Sequence, residues 1–176
     1  MSKKVKILKK RVLMRLSSSV LVECQIQVGN KQIMRRSFEH PGCVVIIPQL
    51  RNGRYLMVKQ YRYAARAWIW EFPAGGIERG ESALVAAQRE LAEEAGFAAQ
   101  KIKKLISFFP TPGISEEKMH LFLASNLRPQ YAEKDEDEEF ELKEFNLRQI
   151  GKMIMSGEIE DAKTIIAYFL LKEKKQ

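Results

Sequence analysis

Gly75 to Phe97 read G-G-I-E-R-G-E-S-A-L-V-A-A-Q-R-E-L-A-E-E-A-G-F. From Ser82 onward, apolar residues recur at steps of three and four, which predicts a helix with one face toward a core. This stripe consists of Leu84, Ala87, Leu91 and Ala95. Ser82 is a favourable N-cap residue, and Gly96 suits the left-handed conformation that ends many helices. The stretch therefore predicts a glycine-rich loop, a helix and a closing turn.

Three glutamates share one side of the predicted helix. Glu90, Glu93 and Glu94 stand three and four positions apart, and residues so spaced are neighbours on a helix surface. Their charges repel one another unless a cation lies between them, and clustered carboxylates suit a hard ion such as magnesium. Arg89 precedes them and has the planar guanidinium that holds a carboxylate by two parallel hydrogen bonds. The pattern indicates a metal site beside the glycine turn.

Patterns typical of β-strands surround this helix. Val20–Val28 and Gln32–Phe38, on either side of Gly29-Asn30, predict a hairpin. Cys43–Ile47 is a continuous β-branched run after Pro41-Gly42, and Tyr55–Gln60 follows a turn at Asn52-Gly53, so both are predicted to be central strands. Trp68–Gly76 predicts one strand that leads directly into the glycine turn.

The central stretch resembles the Nudix box, the signature of the Nudix hydrolases. Gly75, Glu81 and the run Arg89–Phe97 occupy every specified position, with Leu91 and Phe97 at its bulky apolar places. So complete a match argues against the alternative of a solvated acidic helix without a role. Catalytically inactive copies usually lack the arginine or a glutamate, and this sequence retains them.

The flanking sequence resembles the ADP-ribose pyrophosphatase branch of that family, which includes the GDP-mannose hydrolases. The resemblance covers His40–Gly42, Gln60–Arg62, Trp70–Gly75, Pro112–Glu117 and the final helix. It implies an α/β fold, the Nudix α/β/α sandwich with a mixed β-sheet and an N-terminal β-extension. It also implies a homodimer in which the extension crosses to the partner. We therefore expect residues 1–40 to form the β-extension, as a dimerisation element, and residues 41–176 to form the Nudix hydrolase domain.

The resemblance also implies roles for individual residues. Glu90, Glu94 and the backbone carbonyl of Ala74 would hold magnesium, and Glu93 would support a further ion or a bound water. Arg62 would contact the diphosphate or its neighbouring ribose, and a guanidinium is physically suited to grip phosphate oxygens. The alternative for Arg62 is a surface ion pair. The substrate-binding positions implied are Arg62, Glu71, Gly75, Ser115 and Glu117.

The general base would come from an acidic loop outside the box. That loop is Asp135–Glu139, in which two adjacent positions align with the family's catalytic glutamate, and we favour Glu139 over Glu138. Most carboxylates in such a charge run are solvated, and one suffices to take a proton from water. Together with Glu93 and Arg89, these two glutamates form the predicted catalytic set.

The predicted reaction is magnesium-dependent hydrolysis of the diphosphate bond of a nucleoside diphosphate sugar, with manganese as the alternative ion. ADP-ribose, cleaved to AMP and ribose 5-phosphate, is the first substrate, because Pro112 stands sixteen residues beyond Gly96, a spacing associated with ADP-ribose hydrolysis in this branch. The alternatives are GDP-mannose or another sugar nucleotide, an RNA cap or dinucleoside polyphosphate, and nucleotide sensing without cleavage. An isoprenoid-diphosphate isomerase shares the fold but requires an active-site cysteine. Cys24 and Cys43 are distant from the box in sequence, and the sequence alone does not determine how far from the box they lie in the folded chain.

Composition indicates how many domains the chain forms, which partners it has and in which compartment it is expected. A chain of 176 residues with 45% hydrophobic content fits one domain with a sizeable core. It contains no apolar run near the ~20 residues of a membrane span, so we expect no membrane partner. Its two cysteines lack metal-ligand spacing, so we expect free thiols and a cytoplasmic protein. Lysine runs at both ends dominate the net charge of +8. No aromatic residues interleave them, so we interpret them as solvated tails and expect no nucleic-acid partner. His40 and His120 are expected to be structural.

Overall fold

The computed structural model describes residues 4–130, 132 and 141–173. Glu138 and Glu139, the predicted base positions, lie outside the described residues. The strands are β1 (Val5–Arg15), β2 (Val20–Val28), β3 (Lys31–Glu39), β4 (Cys43–Pro48), β5 (Tyr55–Arg62), β6 (Ala67–Glu71), β7 (Ala74–Gly76), β8 (Phe97–Phe108), β9 (Met119–Pro129) and β10 (Glu141–Phe145). The helices are α1 (Ala83–Ala95), α2 (Leu147–Met155) and α3 (Ala162–Glu173).

Helix α1 begins and ends where local chemistry predicts. The Ser82 side chain accepts a hydrogen bond from the Val85 N–H at 3.3 Å, and Gly96 ends the helix with φ of +73°. Both predicted ends are confirmed. The predicted apolar stripe is wrong at Leu84, whose side chain is 47% exposed. Ala83 instead packs against the core in the first turn, four positions before Ala87, so the buried stripe starts one residue earlier.

A four-stranded sheet with the order β7-β4-β9-β8 forms the centre of the fold. Strands β4 and β9 are parallel and their other neighbours are antiparallel, which makes the sheet mixed. Side chains of β4 alternate between its faces. Val44 and Ile46 pack against α1, whereas Val45 and Ile47 pack toward α2, α3 and the second sheet, β10-β5-β6. The predicted α/β layering around a mixed sheet is confirmed.

The stretch Trp68–Gly76 was expected to be one strand, and this prediction was wrong. Strand β6 pairs with β5, whereas β7 pairs with β4 in the other sheet. Phe72 and Pro73 separate the two strands, and a proline has no N–H with which to continue a ladder. The Pro73 carbonyl accepts a hydrogen bond from the Ile46 N–H at 2.8 Å. The chain therefore crosses between sheets here and brings β7 beside α1.

Strands β1, β2 and β3 form a separate antiparallel sheet. The predicted hairpin is confirmed as β2 and β3, with Val28 paired to Lys31 across the turn. Strand β1 lies at the edge, and every one of its residues is exposed. A bridge between Phe38 and Ser115 joins this sheet to the rest of the chain. The division of the chain near residue 40 stays a prediction. Among the described residues, the helices include none with the length and apolar character that crossing a membrane requires.

Candidate active site

A cavity of about 280 Å³ lies where β7 meets α1. All four predicted metal-binding residues line it, together with Arg89 and the predicted substrate residues Arg62 and Gly75. The full lining is Arg62, Ala74, Gly75, Gly76, Arg89, Glu90, Glu93 and Glu94. The sequence predicted that the three glutamates of α1 share one side, and the structure places them around one space.

The backbone of β7 packs directly against the glutamates. A Cβ atom added to Gly75 would lie 2.0 Å from the Oε1 atom of Glu90, so a side chain here would displace the Glu90 carboxylate. The Ala74 N–H donates a hydrogen bond of 3.0 Å to the Oε2 atom of Glu94. Glu90 and Glu94 are only 8% and 3% exposed. Two carboxylates are thus held in a half-closed space, where charge requires compensation.

Arg89 connects four groups of the Nudix-box stretch. Its guanidinium holds Glu81 by a forked pair, with both Nε–Oε1 and Nη2–Oε2 at 3.1 Å. Its Nη1 atom donates to Glu90 at 2.7 Å and to Glu93 at 2.9 Å, and Nη2 also donates to the Gly76 carbonyl. These bonds raise the pKa of Arg89, above all through Glu81, and Arg89 in turn lowers the pKa of Glu81. Arg89 therefore sets the orientation of the carboxylates.

Arg62 lies on β5 and lines the cavity, and Glu71 holds its guanidinium by two hydrogen bonds. Its Nε and Nη2 atoms donate to the two carboxylate oxygens of Glu71 at 2.7 and 2.8 Å. Burial alone would lower the pKa of Arg62, but the hydrogen bonds and charge of Glu71 outweigh it and raise the pKa. The Glu71 side chain is 1% exposed and the Arg62 side chain is 40% exposed, so this ion pair joins a buried carboxylate to a partly exposed guanidinium and differs from a pair with two solvated partners.

Lys163 is a residue of this network that the sequence did not indicate. It lies on α3, donates to the same Glu71 oxygen as Arg62 Nη2, and pairs with Asp161 at 2.8 Å. Its side chain is only 11% exposed. Lys163 is 92 positions from Glu71 in the chain, so no local pattern could reveal the contact.

The other predicted substrate residues are Glu71, Ser115 and Glu117, and none of them lines the glutamate cavity, the cavity that Glu90, Glu93 and Glu94 share. Ser115 lines a separate cavity of about 340 Å³, with Ser37 and Phe109 among its neighbours. The Glu117 N–H donates to the Ser115 hydroxyl at 3.0 Å. Glu71 is buried behind Arg62, so it does not face the glutamate cavity either. The structure thus separates Ser115, Glu117 and Glu71 from the cavity that holds Arg62 and Gly75.

Glu117 instead lies beside His40 and Cys43, and the ligand atoms of these three residues lie within 4.8 Å of one another. Burial raises the pKa of the Cys43 thiol to about 12, and the Glu117 carboxylate contributes to the rise. Cys43 also pairs with Gly76 across β4 and β7, so it is close to the box in space although distant in sequence. It does not line the glutamate cavity. Cys24 and Cys43 are both free thiols, as expected.

The fold and this cavity define an α/β protein whose site is suited to a divalent cation and a phosphorylated ligand. A match to the NUDIX domain spans residues 39–168. The chain belongs to the Nudix family of hydrolases.

Similar proteins agree with this assignment. The chain is 40% identical over 152 residues to an ADP-ribose pyrophosphatase of Bacillus subtilis (strain 168), with 84% of this chain and 82% of the relative covered. It is 38% identical over 153 residues to a methanol dehydrogenase activator of Bacillus methanolicus, with 84% and 83% covered. A crystal structure of an ADP compounds hydrolase matches with a TM-score of 0.84 at 24% identity, over 98% of this chain and 95% of that one. This structural match confirms the Nudix fold.

Proposed function

We propose that this protein is a magnesium-dependent pyrophosphatase that hydrolyses ADP-ribose to AMP and ribose 5-phosphate. The observation that carries the proposal is the cavity shared by Arg62 and the carboxylates of Glu90, Glu93 and Glu94. Carboxylates suit divalent cations, and a guanidinium suits phosphate oxygens. One space therefore offers both groups that binding of a charged diphosphate requires. The relative named ADP-ribose pyrophosphatase, at 40% identity, supports the choice of substrate.

The residues of the cavity fit a divalent cation. The Glu90 and Glu94 carboxylates are buried, and a buried carboxylate is stabilised by positive charge close by. Their oxygen donors suit magnesium, with manganese as the alternative. Glu90, Glu94 and the Ala74 carbonyl are the proposed ligands, and Glu93 supports a further ion or a bound water. When bound, magnesium neutralises the diphosphate and lowers the pKa of water.

Arg62 is the proposed contact to the diphosphate or its neighbouring ribose. Its two bonds to Glu71 set the plane of the guanidinium, and a fixed plane is what bidentate recognition of phosphate requires. We propose that Glu71 contributes to substrate binding through Arg62 and not by direct contact. Gly75 contributes by allowing close approach of the backbone to the Glu90 carboxylate.

The proposed general base is Glu139, with Glu138 as the alternative. Glu139 stands two positions before β10 in the sequence, and β10 pairs with β5, the strand that carries Arg62. The base takes a proton from the attacking water as the bond between phosphorus and the bridging oxygen breaks. Ser115 and Glu117 remain proposed substrate contacts. They lie on the segment that meets strand β3, so they would reach a substrate that extends beyond the glutamate cavity.

We also propose that two copies associate through the N-terminal sheet. Edge strand β1 exposes Val5, Ile7, Leu8, Val12, Leu13 and Met14. An edge with unpaired backbone groups and exposed apolar side chains readily takes a partner, and a second copy presents the same surface. A cytoplasmic location suits the two free thiols.

The test is release of phosphate from purified protein with magnesium, alkaline phosphatase and one nucleotide at a time. The panel contains ADP-ribose, GDP-mannose, ADP-glucose, a dinucleoside polyphosphate and capped RNA. Intact sugar diphosphates resist the phosphatase, whereas the monophosphate products of Nudix cleavage do not. We expect magnesium-dependent release from ADP-ribose. Faster release from another sugar nucleotide would reassign the substrate.

Regulation of a partner without cleavage is the second candidate, and the similarity to an activator of methanol dehydrogenase favours it. Tight binding of ADP-ribose, with no phosphate release from any substrate in the panel, would support this candidate and contradict the hydrolase proposal.

A further inference from the structure

We propose that His40, Cys43 and Glu117 form a second metal site, which takes a zinc-class cation and not magnesium. One ligand atom from each residue lies within 4.8 Å of the other two, and all three residues are half-buried. None of the three lines the glutamate cavity. Cys43 is opposite Gly76 in the β4–β7 pairing, and Gly76 lines the glutamate cavity, so this second site lies one strand away from that cavity.

The donor atoms decide which metal the site takes. A thiolate, an imidazole nitrogen and a carboxylate oxygen together suit zinc or cobalt, whereas magnesium prefers oxygen ligands alone. Zinc binds such atoms at about 2.0–2.3 Å, which in a tetrahedron separates the ligands by roughly 3.3–3.8 Å. Atoms that already lie within 4.8 Å of one another reach this arrangement by side-chain movements of about 1 Å. Three protein ligands leave a fourth position for water.

The backbone holds the three ligands in place. The Cys43 N–H donates to the Lys118 carbonyl at 3.1 Å, which joins the Cys43 strand to the segment that carries Glu117. Gly42 has φ of +105°, and a Cβ atom there would lie 2.9 Å from the Lys118 oxygen. This close approach lets the chain turn between His40 and Cys43 so that both side chains reach Glu117. The site therefore requires no rearrangement of the backbone.

Two features oppose metal binding: burial raises the pKa of the Cys43 thiol, which must lose its proton to bind a metal, and His40 already accepts a hydrogen bond. The Gly42 N–H donates to the Nδ1 atom of His40 at 3.0 Å. A neutral imidazole has a single lone pair, so a metal must either replace this hydrogen bond at Nδ1 or move the ring proton away from Nε2. Either route breaks the hydrogen bond from the Gly42 N–H to the His40 side chain. We therefore expect affinity below that of a closed structural zinc site with four protein ligands.

Cobalt provides a direct test on the full chain, because a thiolate bound to Co²⁺ produces a charge-transfer band in the near ultraviolet. Titration of the wild-type protein with Co²⁺ in the presence of excess magnesium is expected to produce this band, and Zn²⁺ is expected to abolish it by displacement. Co²⁺ bound only to the glutamate cavity gives no thiolate band, so the readout separates the two sites. Absence of the band would overturn the proposal.

Variants identify the ligands. Cys43→Ser is expected to remove the band, while Cys24→Ser, which changes the other free thiol, is expected to retain it. His40→Ala and Glu117→Gln keep the thiol and are expected to weaken Co²⁺ binding by more than about tenfold, since even groups that only support ligands contribute that much. If Cys43→Ser fails to fold, these two variants decide the question. Unchanged Co²⁺ affinity in both, or a band that depends on Cys24, would overturn the site.

Discussion

A Cβ atom on Gly75 would lie 2.0 Å from the Oε1 atom of Glu90, so the box glycine and the box glutamate share one space. Gly75→Ala is expected to fold, because the end of a glutamate side chain can move aside, but the carboxylate then leaves its place in the cavity. A displacement of about 1 Å at a reacting centre costs about 100-fold in rate, and we expect a loss of this order in the phosphate-release assay. Gly113→Ala is the control, since a Cβ there meets nothing within 4 Å and the residue does not line the cavity. Equal activity of the two variants would contradict the contact.

Glu94→Gln is expected to fold normally and to lose most turnover. The amide oxygen can still accept the hydrogen bond from Ala74, but the charge that attracts a divalent cation is gone. Charge stabilisation by a catalytic metal is worth several kcal/mol, which corresponds to a fall in kcat/KM of about 100-fold or more. Steady-state kinetics with ADP-ribose measure the change, and Glu173→Gln, at an exposed position of α3, is the control. A rate near that of the wild type would remove the proposed metal role of Glu94.

Lys163→Met is expected to raise KM more than it changes kcat. Lys163 steadies Glu71, and Glu71 orients Arg62, so the loss acts on a group proposed to bind the substrate. Removal of one partner from a buried carboxylate is also expected to destabilise the fold by about 1–3 kcal/mol. Kinetics and urea unfolding check the two effects, with Lys172→Met, an exposed lysine on the same helix, as the control. A fall in stability with unchanged KM would limit Lys163 to a structural role.

Glu81 is expected to make part of the stability depend on pH. Its hydrogen bonds with Arg89 lower its pKa below the ordinary value of 4.5, so the unfolded state takes up the proton more readily than the folded state. The stability from this carboxylate is therefore present above pH 4.5 and is lost as the pH falls through the lower folded pKa. Urea unfolding at neutral pH and below pH 4.5 is expected to show a smaller difference for Glu81→Gln than for the wild type. An equal difference in both proteins would contradict the assignment.

Association through strand β1 is expected to give twice the subunit mass of 20.3 kDa in light scattering. Ile7→Lys combined with Met14→Lys places charge on this edge and is expected to yield monomers, because a buried unpaired charge is costly. Met155→Lys changes an apolar side chain that is 84% exposed on α2 and serves as the control. A monomeric wild type, or a double variant that remains dimeric, would contradict the proposed interface.

The sequence was most informative where structure depends on near neighbours. The cap at Ser82, the left-handed residue Gly96 and the β2–β3 hairpin each follow from chemistry within a few positions, and all are present. The sequence failed at Leu84, because helical periodicity alone does not say which residue of the first turn meets the sheet. It also failed between Trp68 and Gly76, where transfer between two sheets depends on strands elsewhere in the chain.

By itself, the sequence determined the Nudix family, the α/β class and the grouping of Glu90, Glu93 and Glu94, because a helix places residues three and four apart on one side. Only the tertiary structure decided that Lys163 meets Glu71 and that His40 and Cys43 meet Glu117. These contacts join segments far apart in the chain, and their geometry is set by how β4 pairs with β7 and β9 and by how α3 packs against the sheets. A local pattern of residues does not predict such pairings, because strands with the same sequences can pair in more than one order.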